Sequence, residues 1–265
     1  MKPKALVLQA HGSNRDFDVI EALALAGAEA VGIPLNELRK TKTLLSGFQL
    51  LVIPGGFSYA DALGAGKLLA LDLASYFADE IAGCVESGKP VIGICNGFQA
   101  LVKSGILPGE SPAPSESEER GEGATLTFNA LGHFECRWVT LRPVSQTCLW
   151  TKGLDELIEC PVAHGEGNFQ TSSGFPLSSF LENDQIALAY ACADGSPANG
   201  EYPFNPNGSV LDIAGICNRR GNVLGLMPHP ENYIHRYQHP QWTRRINRHS
   251  GLTLFQNGVN YATEN

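Results

Sequence analysis

The sequence lacks the long hydrophobic run of a membrane helix, and it lacks an excess of basic charge. No apolar run approaches the roughly 18 residues that a membrane span needs, and the longest runs, around 50–54 and 91–95, have strand length. Lys and Arg number 19 against 27 Asp and Glu, so the net charge is −8. Because binding to nucleic acid depends on neutralising phosphates, we expect neither a nucleic-acid-binding protein nor a membrane protein.

Paired cysteines are also missing from the sequence. The seven cysteines are an odd number, are widely spaced and include no Cys-x-x-Cys pair, which argues against a disulfide framework and a zinc ribbon. The apolar stretch near the amino terminus is about five residues long, shorter than the apolar core of a secretory signal. We therefore expect a cytoplasmic protein in a reducing environment, without a bound metal.

Short apolar runs without polar alternation follow one another through the first hundred residues, with helical patterns between them. These strand-like and helical segments cover residues 5–10, 18–30, 50–56, 67–83, 89–95 and 98–105. Strands of this type are buried on both faces, as in a parallel sheet that helices cover. The sequence therefore predicts an α/β fold, a three-layer sandwich with a mostly parallel central sheet.

One acidic segment interrupts this pattern. Residues 108–123 contain five Glu, three Pro, three Ser and three Gly, so they offer almost nothing to bury. Strand-like sequence resumes directly afterwards, and further strands are predicted at 134–142, 186–193, 210–217 and 223–227. We interpret the segment as a flexible acidic loop within a single domain that covers residues 1–265.

The sharpest local feature is Gly93-x-Cys95-x-Gly97, which lies between a buried strand and a helix. It is the thiol counterpart of the nucleophile elbow, in which flanking glycines give a strained turn the clearance it needs. A helix amino terminus behind Cys95 favours the thiolate, and the turn directs backbone N–H groups towards a developing oxyanion. The alternative is a buried structural cysteine without a chemical role. Other residues of the chain are needed to choose between these two interpretations.

A thiolate that performs acyl transfer needs a base, and the base needs an orienting group. The sequence offers both in Pro228-His229-Pro230-Glu231. The prolines hold the chain extended, so that the side chains of residues i and i+2 point the same way. A surface histidine and a solvated acid are the alternatives, but together with the elbow the pattern favours a Cys95–His229–Glu231 triad.

Six segments resemble the class I, triad-type glutamine amidotransferases and, among them, the glutaminase subunits of phosphoribosylformylglycinamidine synthases. They cover most of the chain in family order and are PGGFSYAD (54–61), GICNGFQAL (93–101), LTFNALGHFECRWV (126–139), PVAHGEGNF (161–169), NPNGS (205–209) and GNVLGLMPHPE (221–231). NGFQ, HGEGNF and NPNGS are specific to these subunits among amidotransferases. The resemblance implies the flavodoxin-like fold of class I glutamine amidotransferases.

The resemblance also implies a role for each matching residue. Cys95 would attack the side-chain amide of glutamine and form a thioester, while His229, oriented by Glu231, would relay protons. The remaining implied residues are the oxyanion donors Gly56 and Asn96, and the substrate-binding residues Gln99, His164, Gly165 and Glu166. Pro54-Gly55-Gly56 follows a predicted strand, at the edge where parallel sheets bind ligands. For residues 164–167, a turn with an exposed acid is the alternative.

The chain has no complete ATP-binding motif. The segment from Gly64 to Leu68 resembles a phosphate loop but lacks its first glycine and the Ser or Thr after the lysine. We expect no cofactor in this chain. The resemblance implies that a large synthetase subunit uses ATP and Mg²⁺ together with the ammonia to convert formylglycinamide ribonucleotide to formylglycinamidine ribonucleotide in purine biosynthesis. It also implies a small bridging subunit.

The chain departs from the family pattern at three positions outside the triad. The family usually has Cys, Gly and Arg at the positions of Arg15, Ala60 and Gly64. These differences affect either the contacts with a partner subunit or the shape of the mouth of the site. The carboxyl-terminal part is locally basic, through His235, Arg236, His239, Arg244, Arg245, Arg248 and His249. We interpret it as a docking face for an acidic partner or a solvated helix, rather than a metal site.

Two other functions remain open at this stage. A thiol hydrolase or chaperone-like protein of the same sheet architecture shares the elbow cysteine but lacks the late Pro-His-Pro-Glu, so substitution of Glu231 would matter little to it. A catalytically silent module that regulates a synthetase would still support full glutamine-dependent synthesis after Cys95→Ser.

Overall fold

The computed structural model describes residues 1–109, 123–171, 176–244 and 250–264. These residues form eleven strands and seven α-helices. The strands are β1 (Lys4–Gln9), β2 (Glu29–Pro34), β3 (Leu50–Ile53), β4 (Val91–Ile94), β5 (Ala124–Thr127), β6 (Glu135–Pro143), β7 (Ile158–His164), β8 (Asn168–Thr171), β9 (Ile186–Ala191), β10 (Ile213–Cys217) and β11 (Val223–Leu226). The helices are α1 (Asp16–Ala26), α2 (Leu35–Lys40), α3 (Lys67–Tyr76), α4 (Ala78–Glu86), α5 (Asn96–Lys103), α6 (Leu177–Glu182) and α7 (Leu252–Glu264).

Nine of the strands form one sheet in the order β2-β1-β3-β4-β11-β10-β9-β6-β7. The first five are paired in parallel, and the remaining pairs are antiparallel, so that only β10 and β6 run against the other seven strands. β5 and β8 form a separate two-stranded sheet. The prediction of an α/β fold with a mostly parallel central sheet is confirmed.

Helices cover both faces of this sheet. The chain moves from β1 to β2 in one direction across the sheet and from β3 to β4 in the other. Because such crossover connections are right-handed, α1 and α3 lie on opposite faces. Helix α7 packs against α1 and helix α5 against α3, which gives the predicted three layers. In the described parts of the chain, no helix combines the length and apolar character of a membrane span.

The structure differs from one prediction about local structure and does not describe the segment of another. The segment 67–83, expected as one helix, is divided into α3 and α4 at Phe77 (φ −128°, ψ 13°). The Phe77 side chain is buried in the core, and this tertiary contact redirects a chain whose local pattern is helical throughout. The predicted acidic loop, 108–123, lies almost wholly outside the described residues.

The centre of the sheet determines where the site forms. β4 lies between β3 and β11 and consists of buried residues throughout, as its apolar sequence predicts. Since the three strands are parallel, their carboxyl ends meet at one edge. Three parts of the predicted site follow these ends: the turn at Gly55-Gly56, the residue Cys95 and the segment around His229. Parallel sheets bind ligands at this edge.

Candidate active site

Cys95 occupies a tight turn between β4 and α5. Its backbone has φ 50° and ψ −105°, a conformation that L residues rarely adopt and that is found at functional sites. A Cβ atom on Gly97 would lie 2.0 Å from the carbonyl oxygen of Ile53, and one on Gly93 would lie 2.8 Å from that of Gly97. Neither glycine can therefore carry a side chain, which is the steric requirement expected of a nucleophile elbow.

His229 and Glu231 lie beside Cys95, buried in the protein. His229 Nδ1 is 2.7 Å from Glu231 Oε1, and the two residues are 3% and 0% exposed. Because the carboxylate takes Nδ1, only Nε2 of the imidazole is left for the Cys95 side chain, which is close enough to act on His229 electrostatically. A Cβ atom on Gly55 would lie 2.7 Å from His229 Cε1 and 3.4 Å from Cys95 Cβ. The structure thus brings the three residues of the predicted triad together.

The backbone that pairs His229 with Glu231 differs from the extended segment expected from the sequence. His229 is extended (φ −108°, ψ 82°), but Pro230–Asn232 form a 3₁₀ turn. Proline is well suited to the first position of such a turn, because its fixed φ is already helical. The prediction that the two side chains project together is correct, while a turn, rather than an extended strand, produces it.

The charges around His229 favour its protonated form. Burial lowers the pKa of His229, but the Glu231 carboxylate and the Cys95 side chain together outweigh this effect and raise the pKa to about 10. An imidazolium beside a thiol is the arrangement that activates a cysteine nucleophile. The nearby Cys160 differs, because burial and the Glu231 carboxylate raise its pKa well above the ordinary value. Cys160 therefore remains a neutral thiol.

Cys95 opens into a pocket of about 160 Å³. Its walls come from the turn after β3, helix α5, the loop after β7 and aromatic residues at the mouth. The lining includes Gly56, Phe57, Asp61, Cys95, Gln99, Phe128, Phe134, His164, Gly165 and Glu166. Six of the nine predicted site residues therefore face one small cavity, and Asn96, His229 and Glu231 lie behind its surface.

Gly56 and Asn96 hold the predicted oxyanion donors. Gly56 has φ 137°, and a Cβ atom there would lie 2.7 Å from the backbone nitrogen of Asn14, so the position requires glycine. Asn96 is the first residue of α5, where backbone N–H groups have no partner within the helix. Neither N–H donates a hydrogen bond to another described residue, so both are available to an oxyanion.

His164 forms part of the pocket wall as a neutral imidazole. Its Nδ1 is 3.1 Å from Asn129 Oδ1, and its Nε2 has no hydrogen-bond partner among the described residues. Burial, and then the nearby charge of His229, lower the pKa of His164 to about 3. A Cβ atom on Gly167 would lie 2.3 Å from the ring, which explains the glycine after Glu166 in the His-Gly-Glu-Gly motif.

Glu166 shares the pocket with a second carboxylate that sequence reasoning missed. Glu166 Oε1 accepts a hydrogen bond from the Ala65 N–H at 3.2 Å, and Oε2 is 3.6 Å from Lys103 Nζ. Asp61 lines the same pocket, and burial followed by the charge of Glu166 raises its pKa. Asp61 lies inside PGGFSYAD, but no local signal distinguishes it, because its role depends on contacts across the fold.

Gln99 lines the pocket, as expected, but the protein already binds both ends of its amide. Its Nε2 donates to the carbonyl oxygen of Glu166 at 2.7 Å, and its Oε1 accepts from Asn96 Nδ2 at 3.1 Å. Contact of Gln99 with substrate stays a prediction, and the structure gives the side chain a supporting role as well.

The described part of the basic carboxyl-terminal stretch contains no helix longer than a 3₁₀ turn, Arg236–Gln238. His235 pairs with Glu21 at 2.8 Å, and His239 is buried against Trp138, with 4.5 Å between the ring centroids. No group of three or more potential metal ligands occurs among the described residues. Arg245, Arg248 and His249 lie outside the described residues.

The structure locates the three departures from the family pattern, and at one of them the backbone is strained. Arg15 precedes α1 and pairs with Asp18 at 3.2 Å. Ala60 has φ 55°, a left-handed conformation that glycine adopts more easily. A Cβ atom on Gly64 would lie 4.0 Å from a carboxylate oxygen of Glu166, which places this position at the rim of the pocket.

The buried neutral state of His164 predicts that acid destabilises the protein. The pKa of His164 is about 3 in the folded protein and about 6.5 in an unfolded chain, so between these values the unfolded chain binds the extra proton. The stability that His164 contributes is present above about pH 6.5 and is lost as the pH falls. Between about pH 6.5 and pH 5 the free energy of unfolding should fall by about 1.5 kcal/mol.

Denaturant titrations from about pH 7 to pH 5 measure this effect. His164→Gln should remove most of the acid-induced loss, whereas His11→Gln, at an exposed histidine, should keep it. An equal loss in His164→Gln and in the unchanged protein would contradict the assignment.

Comparisons with known proteins place this geometry in a family. A model of the CobB/CobQ-like glutamine amidotransferase domain matches residues 2–262. The chain is 53% identical to the phosphoribosylformylglycinamidine synthase subunit PurQ of Treponema denticola, over 99% of this chain and 100% of that protein. It is 41% identical to the PurQ subunit of Dehalococcoides mccartyi, over 99% of both chains.

A solved structure agrees with these similarities. A chain in the structure of PurLQS from Thermotoga maritima aligns with this one at a TM-score of 0.73 and 32% identity, covering 98% of this chain and 99% of that chain. The similarity therefore extends over the elbow, the His229–Glu231 pair and the pocket. The chain belongs to the family of CobB/CobQ-like glutamine amidotransferase domains and, within it, to the PurQ subunits of phosphoribosylformylglycinamidine synthase.

Proposed function

We propose that this chain is the glutaminase subunit of a phosphoribosylformylglycinamidine synthase. The observation that carries the proposal is the position of Cys95, which stands in a strained elbow against the buried His229–Glu231 pair and opens into a pocket of about 160 Å³. A thiol, a base and a carboxylate that orients the base are the groups that acyl transfer requires.

The first half of the reaction forms a thioester. The Cys95 thiolate attacks the side-chain amide carbon of glutamine, and the oxygen of the tetrahedral intermediate accepts hydrogen bonds from the N–H groups of Gly56 and Asn96. The His229 imidazolium then donates its proton to the leaving nitrogen. The carbon–nitrogen bond breaks, ammonia departs, and a glutamyl thioester remains on Cys95.

The second half of the reaction releases glutamate. Neutral His229 takes a proton from a water molecule, whose oxygen attacks the thioester carbon. Collapse of the second tetrahedral intermediate breaks the carbon–sulfur bond and restores the thiolate–imidazolium pair, with Glu231 holding the imidazole through Nδ1. The sum of the two halves is glutamine and water giving glutamate and ammonia.

The pocket also suits the free amino-acid part of glutamine. Asp61 and Glu166 supply two carboxylates, and Lys103 is the cation beside Glu166. One negative charge is therefore left to attract an α-ammonium group. His164 and Gly165 complete the wall, and the neutral imidazole of His164 adds a hydrogen-bonding nitrogen without adding charge.

The ammonia would serve a partner. The PurQ name of the relatives and the PurLQS structure support a complex with a large synthetase subunit and a small bridging subunit. In that complex, ATP and Mg²⁺ would act in the synthetase, which converts formylglycinamide ribonucleotide to formylglycinamidine ribonucleotide, and this chain would need no cofactor. Such an enzyme of purine biosynthesis would work in the cytoplasm.

Reconstitution with the synthetase and bridging subunits tests the proposal. With ATP, Mg²⁺ and formylglycinamide ribonucleotide, we expect synthesis from glutamine only when this chain is added, and synthesis from ammonium chloride with or without it. If the complete mixture used ammonium chloride but never glutamine, the proposal would be wrong. If glutamine supported synthesis without this chain, it would be wrong as well.

A further inference from the structure

The turn after β3 contains an unusual run of left-handed residues. Tyr59, Ala60 and Asp61 have φ values of 54°, 55° and 51°, and none of them is glycine. Each such residue costs roughly 1–2 kcal/mol, so contacts elsewhere must hold the turn in place. The same turn carries Gly56, whose N–H is a predicted oxyanion donor, and its geometry therefore bears on the reaction.

The side chain of Asn96 connects the two ends of this left-handed run. Its Oδ1 accepts a hydrogen bond from the Ser58 N–H at 3.2 Å, just before the run. Its Nδ2 donates to Asp61 Oδ1 at 3.0 Å, at the end of the run. Asn96 is 2% exposed, so water does not compete for these bonds. One amide from the elbow helix thus clamps a strained turn.

The surroundings allow only one orientation of the Asn96 amide. Its second Nδ2 hydrogen goes to Gln99 Oε1 at 3.1 Å, and Gln99 Nε2 continues to the carbonyl oxygen of Glu166 at 2.7 Å. Because Asp61 and Gln99 both present oxygen acceptors, Asn96 must direct its own oxygen towards Ser58. Hydrogen bonds therefore link the turn after β3, helix α5 and the loop after β7 across the pocket.

From this network we infer that the Asn96 side chain is a positioning residue of the oxyanion hole. Its backbone N–H is one donor of the hole, and its side chain holds the other donor, Gly56, in place through Ser58, two residues further along the chain. The inference rests on the proposed glutaminase function. It assigns the residue after the nucleophile a second task that only a side chain with both a donor and an acceptor can perform.

Asn96→Ala tests this inference, because it keeps the backbone N–H and removes the clamp. Loss of a complete oxyanion donor costs about 10²–10³-fold in kcat, and a misplaced donor should cost less. We expect kcat for glutamine hydrolysis in the complex to fall by about 10- to 100-fold. KM should change much less than kcat, because the oxyanion hole acts in the transition state, although Asp61 and Gln99 each lose one hydrogen bond. Affinity for the γ-aldehyde analogue of glutamine should fall in parallel with kcat, since its tetrahedral adduct places an oxygen in the hole.

Asn218→Ala provides the matched control. Asn218 is buried and hydrogen-bonded to Asn222 at 3.0 Å, but it lies at the opposite edge of the sheet. Its substitution should lower the melting temperature and leave kcat and aldehyde affinity close to those of the unchanged protein. The same losses in Asn218→Ala would assign the effect of Asn96→Ala to general destabilisation and overturn the inference.

A second pair of variants covers the case in which Asn96→Ala fails to fold. Asp61→Ala removes the acceptor at one end of the clamp, and Asp61→Asn restores an acceptor oxygen without the charge. We expect Asp61→Ala to lower kcat by about three- to tenfold and Asp61→Asn to recover most of that loss. Equal kcat in both variants would contradict the clamp, and a raised KM in both without loss of kcat would assign Asp61 to substrate binding alone.

The unchanged protein separates failure of the inference from failure of the proposed function. If its complex hydrolyses glutamine and Asn96→Ala does so equally fast, only the inference is wrong. If the unchanged complex forms and does not hydrolyse glutamine, the proposed function is wrong and the inference falls with it.

Discussion

Cys95→Ser is expected to lower glutamine-dependent synthesis by roughly 10⁴- to 10⁶-fold, the scale of loss when a triad nucleophile is removed. A serine hydroxyl is far less acidic than a thiol, and the elbow offers it an imidazolium rather than a free base. Synthesis from ammonium chloride should be unchanged, because the synthetase subunit carries out that step. The measurement is the rate of product formation from each nitrogen source, with the complete complex.

Cys136→Ser provides the control for this substitution, since Cys136 is an exposed cysteine away from the pocket lining. It should retain activity with both nitrogen sources. Full glutamine-dependent synthesis by Cys95→Ser would support the alternative of a silent regulatory module. The thiol would then serve packing rather than chemistry.

Glu231→Gln is expected to lower kcat for glutamine by about 10³- to 10⁴-fold, the loss seen when a triad carboxylate becomes an amide. Glu231 and the Cys95 side chain raise the pKa of His229 against the effect of burial, so the amide removes one of the two groups that oppose burial. His229 should then lose its proton at a lower pH, which NMR titration of the imidazole would detect. A neutral imidazole cannot supply the proton that leaving ammonia needs.

Asp184→Asn is the matched control for Glu231→Gln. Asp184 accepts hydrogen bonds from the Gln146 and Thr147 N–H groups at 2.9 Å and 2.8 Å, at the edge of the sheet opposite the pocket. Its substitution should reduce stability and leave kcat intact. Unchanged kcat for glutamine in Glu231→Gln would show that this carboxylate has no part in the reaction and would contradict the triad.

The nucleophile and its partners could be predicted because their signals are local. The clearance required at Gly93 and Gly97 is a property of one tight turn, and the elbow pattern records it directly. The pairing of His229 with Glu231 likewise follows from two residues of spacing. The backbone between them could not be predicted in the same way. An extended segment and the observed 3₁₀ turn at Pro230–Asn232 both bring the two side chains together, so the spacing does not distinguish them.

The rest of the site depends on contacts between distant segments. Asp61 and Glu166 share a pocket, although more than a hundred residues separate them, and no window of sequence records that contact. The clamp formed by Asn96 depends on a left-handed turn at 59–61. That turn contains Tyr59 and Ala60, residue types that do not predict a left-handed backbone. The division of the predicted helix at Phe77 has the same origin, since a buried contact overrides the local pattern.

The central claim is that Cys95 forms a covalent bond with the side-chain carbon of glutamine and that a synthetase uses the ammonia. Peptide mass spectrometry after incubation with a diazo-ketone analogue of glutamine tests it most directly. The protein should be treated alone and in the complex with ATP and formylglycinamide ribonucleotide. We predict a single adduct, on Cys95, that forms faster in the complex. No adduct on Cys95 in the fully assembled complex would contradict the account.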